Sequence, residues 1–143
     1  MDAALKFGRL TEHMALETDG DVLPAAPVAC GISSQDPPGV VYAAAVGGKR
    51  VKLLKTLLTS ACERDCLYCP FRAGRDFHRE TMRPEELSMA YVRMHQAGLV
   101  EGLFLSSGIA GGGVKTQDRL ITSAEILRQK LGYRGYLHLK IMP

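Results

Sequence analysis

The sequence predicts an α/β fold built on parallel strands, and three observations carry that prediction. From residue 51 onward, short apolar runs alternate with amphipathic stretches in the order strand, helix, strand, helix, strand. Each stretch is closed by Gly or opened by Pro, the residues that punctuate regular elements. The preceding segment lacks that regularity: residues 21–50 hold four of the seven prolines and read as loop-rich. The expected organisation is therefore an N-terminal extension, residues 1–50, followed by an α/β unit, residues 51–143. An alternating order of this kind calls for parallel strands joined by right-handed helical crossovers.

Within the extension, residues 1–20 carry a helical pattern with Leu5, Leu10, Met14 and Leu16 as apolar contacts, and Val40–Ala45 suits a short strand. Val51–Ser60 is rich in Leu and Thr and predicts a buried strand. A helix then opens at Pro84-Glu85-Glu86, because proline suits the first helical position and carboxylates suit the positive helix end. Its stripe is Leu87, Ala90, Tyr91 and Met94, and Gly98 is its stop. Glu101–Ser107 predicts a second buried strand, followed by the run Gly108, Gly111, Gly112, Gly113. The next helix carries Leu120, Ala124, Leu127 and Leu131, with Thr116 or Asp118 as N-cap and Gly132 as its end. In the last strand, Tyr136–Ile141, Leu137, Leu139 and Ile141 alternate with Tyr136, His138 and Lys140. The latter three are expected to point into the lumen of a curved sheet, or to solvent if the sheet stays open.

Composition narrows the class. With 46% hydrophobic and 23% charged residues, the 143-residue chain suits one globular domain. No apolar run approaches the roughly 20 residues needed to span a bilayer. Residues 1–6 lack a basic region followed by an apolar stretch, so the expected location is cytoplasmic. A net charge of +3 does not by itself imply nucleic acid. Arg72, Arg75, His78, Arg79 and Arg83 are nevertheless clustered, as either a solvated surface or a contact for an anionic partner.

The chemistry is concentrated in Cys62-Glu63-Arg64-Asp65-Cys66-Leu67-Tyr68-Cys69. Three thiolates in an eight-residue loop can hold three irons of a cubane [4Fe–4S] cluster, leaving the fourth iron open to a small molecule. Their place after a predicted strand matters, because active sites of parallel β/α barrels gather at the C-terminal strand ends. Crowded thiols in a chain expected to be cytosolic point to metal rather than to disulfides. A second reading is a zinc site of the three cysteines with His78. Cys30 stands apart, as a lone buried thiol or a further ligand.

The spacing, with Tyr68 before the last cysteine, resembles the signature of the radical S-adenosylmethionine (SAM) enzymes. The resemblance implies that Cys62, Cys66 and Cys69 hold the cluster and that the open iron binds the amino and carboxylate groups of SAM. Reductive cleavage to a 5′-deoxyadenosyl radical would follow, with a flavodoxin- or ferredoxin-type protein as electron donor. It also implies that Tyr68 lies beside the SAM adenine. Ser106, Ser107 and Gly108 occupy the place of the Gly-Gly-Glu segment that binds the SAM amino group, although the acidic residue is missing and an ordinary turn explains them as well. Lys140, with His138, is a candidate contact for SAM or substrate. Phe71 would cover the cluster.

Residues 53–59, the cysteine loop, residues 102–108 and residues 135–143 are together similar to a radical SAM subfamily linked to DNA modification or repair. Weaker likeness surrounds Ala29-Cys30-Gly31. The implied fold is the N-terminal part of a partial radical SAM β/α barrel, with nucleic acid as a possible partner and no membrane contact. Many members carry a helix-hairpin-helix module, a pattern these residues do not contain. A full barrel takes about 250 residues. Three strands supply less than half of one, so the expectation is a fragment that binds a cluster but turns over weakly or not at all alone. The rival reading from another class is a non-catalytic zinc- or nucleic-acid-binding module using Arg72–Arg83.

Overall fold

The computed structural model describes residues 3–14, 37, 39–44 and 46–141. Expectations at Leu16, Pro24, Pro27, Ala29–Gly31, Pro38, Ala45 and residues 142–143 lie outside them. The elements are α1 (Ala3–Met14), β1 (Val40–Ala44), β2 (Arg50–Leu57), α2 (Pro84–Gln96), β3 (Gly102–Ser106), α3 (Gly113–Glu125) and β4 (Tyr136–Leu139). They form a mixed α/β fold with one four-stranded sheet in the order β1-β2-β3-β4. Strands β2, β3 and β4 run parallel, as the alternating order predicts. The sheet is mixed because β1 pairs antiparallel to β2, in the register Val40↔Leu54 to Ala44↔Arg50. A turn through Val46–Lys49 is short enough to return the chain against its own strand.

Strand alternation divides the sheet into two faces. Leu54, Thr56, Leu103 and Leu105 are buried on one of them, with Leu137 and Leu139 half-buried in register beside them. These leucines share one core with Leu10 and Met14 of α1, Leu87 and Tyr91 of α2, and Leu120 of α3. Helix α1 packs on β2 and against α2, and α2 packs against α3. Phe7, Leu10 and Met14 of the first helix and Val40 of the first strand thus join the same core as the rest. Each fully buried Leu contributes roughly 2–3 kcal/mol.

The other face carries Lys55, Phe104 and His138 in one transverse row, set by the pairs Lys55↔Phe104 and Phe104↔His138. The Lys55 ammonium lies 5.7 Å from the Phe104 ring centroid, and the Phe104 and His138 rings stack at 4.7 Å. Tyr136 is exposed beside them, its hydroxyl 3.2 Å from His138 Nδ1.

Several boundaries differ from the sequence expectation. Leu5 is 49% exposed, and Phe7 rather than Leu5 joins Leu10 and Met14 in the core, since the helix turns Leu5 away from β2. Strand β2 ends at Leu57; beyond it residues 58–60 turn to pair with residues 80–82, while the Leu58 N–H still donates to the Ser106 carbonyl of β3 at 2.9 Å. β3 loses Glu101 and Ser107 at its ends. Helix α3 starts at Gly113 with Gly112 as N-cap, so neither Thr116 nor Asp118 caps it. Thr116 lies one turn inside and donates its hydroxyl to the Gly112 carbonyl at 2.9 Å. At its far end α3 widens over Ile126–Lys130, where the Leu131 N–H reaches back five residues to Ile126. β4 stops at Leu139, leaving Ile141 exposed. The predicted stops hold: Gly98 and Gly132 take left-handed φ values of 73° and 64°. Among the described residues no helix is long and apolar enough to cross a membrane.

Candidate functional site

Beyond β2 the chain forms a loop with a defined neck. The Ser60 N–H donates to the Glu80 carbonyl at 3.0 Å and the Met82 N–H to the Leu58 carbonyl at 2.9 Å. The Thr59 and Thr81 hydroxyls meet at 2.6 Å across the same neck. Residues 61–79 therefore leave and rejoin the body at one place, at the C-terminal end of β2. Inside the loop, the Cys69 N–H donates to the Cys66 carbonyl at 2.9 Å, closing a turn between the second and third cysteines. Asp65 accepts the Gly74 N–H at 2.9 Å and an Arg72 N–H at 3.1 Å. Those bonds, the backbone one foremost, hold its carboxyl below the usual carboxylate range.

All three thiols are free; Cys62 and Cys69 are half-buried and Cys66 is exposed. Two sulfurs accept backbone N–H groups: Cys69 Sγ from Phe71 and Cys62 Sγ from Ile109, each at 3.4 Å. Such N–H···S contacts are the kind that stabilise thiolate ligands of iron–sulfur clusters. The sulfurs themselves are not gathered on one point. Among the described residues no group of three or more His, Cys, Asp or Glu side chains is arranged to hold a metal ion. His78, the fourth ligand of the zinc reading, turns its Nε2 to Glu80 at 2.7 Å.

Tyr68 is 91% exposed next to Leu67 at 85%, on the outside of the loop. Phe71, expected as cover, is buried in the main core and packs against Phe77. Ser106, Ser107 and Gly108 are buried at the end of β3. The Ser107 hydroxyl donates to the Gly108 carbonyl at 2.7 Å, and the Gly108 N–H donates to the Thr59 carbonyl at 2.7 Å. A side chain at Gly108 would overlap the Ala61 carbonyl and lie 3.2 Å from the Cys62 Cβ, so this close approach requires glycine. Glu63 completes the junction. Its N–H donates to Ile109 at 2.7 Å, and its carboxylate accepts the Gly111 and Gly112 N–H groups at 3.2 and 3.3 Å. Lys140 follows β4, its N–H donating to the Leu105 carbonyl at 2.9 Å.

The structure thus sets Cys62 against the Ser106–Gly108 segment and places Lys140 at the end of the neighbouring strand. Cys66 and Tyr68 stand apart on the loop's outer side.

The basic cluster is largely consumed inside the protein. Arg79 donates to four backbone carbonyls, Arg72 pairs with Asp65, and Arg75 donates to the Pro70 carbonyl at 3.3 Å. Sequence reasoning missed Glu80 and Arg9. Glu80 is buried and accepts an Arg9 N–H at 2.7 Å, which links α1 to the neck. That bond first, and His78 after it, hold the Glu80 carboxyl below its usual range. A lone Glu among arginines was the available hint, but Arg9 lies 71 positions away.

No family model matches this chain, and no curated protein or solved structure is significantly similar to it.

Proposed function

We propose that this chain is a radical SAM protein, its sheet part of a β/α barrel, with Cys62, Cys66 and Cys69 as ligands of a [4Fe–4S] cluster. The observation that carries the reading is the cysteine loop itself. Three undisulfided thiols with this spacing lie on one loop at the C-terminal end of a parallel strand, and two of them already accept backbone N–H bonds. The donor set fits a three-thiolate cluster in its chemistry, and the exposed Cys66 arm is the part that must swing inward to complete it. When bound, the cluster would supply an electron to the SAM sulfonium. The chain's own residues would hold and shield the cofactors: Ser106 to Gly108 and Lys140 toward the methionine end, Tyr68 toward adenine. A cytoplasmic location, a flavodoxin- or ferredoxin-type donor and a nucleic-acid substrate belong to the same reading.

Anaerobic reconstitution with iron and sulfide, followed by electron paramagnetic resonance of the reduced protein with and without SAM, tests it. The expected result is four irons per chain, lost in Cys62→Ala, Cys66→Ala and Cys69→Ala, and a spectrum that changes on adding SAM. One zinc per chain with no iron or sulfide would overturn it.

A further inference from the structure

We infer that Arg79 is the positioning residue of the cysteine loop, setting its geometry before any metal arrives. The consequence for the cluster rests on the function proposed above; the organisation of the loop does not.

One half-buried guanidinium holds both flanks of the cysteine segment. On the upstream flank, Arg79 donates to the Ser60 carbonyl at 2.7 Å, two residues before Cys62. On the downstream flank it donates to Phe71 at 2.9 Å, Arg72 at 2.7 Å and Arg75 at 3.0 Å. The distance between the two ends of the segment bearing the three thiols is therefore spanned by a single rigid, planar group. The Phe71 peptide is held from both sides, its carbonyl by Arg79 and its N–H by Cys69 Sγ at 3.4 Å. The guanidinium is stacked on the Phe77 ring, 4.3 Å from its centroid, which fixes the plane of the fork. Among the described residues Arg79 pairs with no carboxylate, and its donors go to backbone carbonyls. Lysine could not substitute: three donors on a compact ammonium cannot reach four carbonyls in one plane. The next residue reverses direction, as Glu80 reaches Arg9 of α1 at 2.7 Å, so the hub is braced against the body.

The test compares the full chain with its Arg79→Lys variant, using Arg93→Lys on the exposed face of α2 as control. In the metal-free proteins, hydrogen exchange of residues 62–78 is expected to quicken at least tenfold in Arg79→Lys, with β2 and β3 unchanged and the control like the parent. Unchanged loop exchange in a folded Arg79→Lys protein overturns the inference. If Arg79→Lys loses its cooperative melt, Phe77→Leu removes the ring under the guanidinium and leaves the four bonds. A several-fold rise in loop exchange there supports the inference, and no rise overturns it. Reconstituted in parallel, Arg79→Lys is expected to hold fewer irons and to show a shifted reduction potential. A parent chain that takes up no iron, while Arg79→Lys still loosens the metal-free loop, defeats the cluster reading and leaves the inference standing.

Discussion

Leu54, Leu103 and Leu105 are wholly enclosed where the helices cover the sheet, whereas Phe71 is the one buried residue between positions 61 and 79. The body is held by apolar area, a non-directional force that tolerates small shifts. The cysteine loop is held by directional bonds: the Arg79 fork, the Asp65 turn, and the Glu63 carboxylate on two glycine amides. Such a loop can keep a specific shape while contributing little to global stability. With so few buried apolar contacts it is expected to open before the core. Under the proposed function that division would suit a site that admits a cofactor, since the loop could yield without unfolding the core.

The contrast can be broken most forcefully from the body. Leu54→Ala should cost about 3 kcal/mol in urea denaturation, by lost burial and by the cavity left behind. Loop exchange should keep its rank relative to the core. Gly108→Ala strikes the seam between the regions, where the new methyl group meets the Ala61 carbonyl. A loss of about 2 kcal/mol is expected, because backbone rather than a flexible side chain must move. Both are read from denaturation midpoints at constant slope.

Smaller effects sharpen the comparison. Glu80 has a carboxyl lowered from its usual value of 4.5, so its contribution is complete above that pH and fades as acid protonates the folded state. Glu80→Gln should therefore cost about 1.5 kcal/mol at neutral pH, a difference that shrinks toward zero in acid. A gap that widened on acidification would contradict the role of the Arg9 pair. Tyr68→Ala should change stability by under about 0.5 kcal/mol, since the ring is already in water. If the proposed function holds, the same change should weaken SAM binding to the reconstituted protein, measured by titration of the cluster's spectrum.

Periodicity and punctuation made much of the fold legible. Proline at position 84 opened α2 where expected, and Gly98 and Gly132 ended helices where a left-handed turn was needed. The alternation at 136–139 put Leu137 and Leu139 on the covered face. The start of α3 was misplaced because Thr116 carries a capping side chain, yet the glycines before it let the helix begin one turn earlier. At the site, the three cysteines and the segment Ser106–Gly108 could be singled out by residue type alone. Arg79 was noticed for its charge, but its task is to bind carbonyls of its own loop.

Local order of elements, the parallel run of β2 to β4 and the position of the thiols after a strand were all determined by the sequence alone. These depend on spacing between near neighbours, which a one-dimensional pattern records. The pairing of β1, the reach of Arg9 to Glu80 and the docking of Gly108 on Ala61 were decided only in three dimensions. Each joins residues whose separation along the chain carries no periodic signal, so only the packed core could bring them within bonding distance.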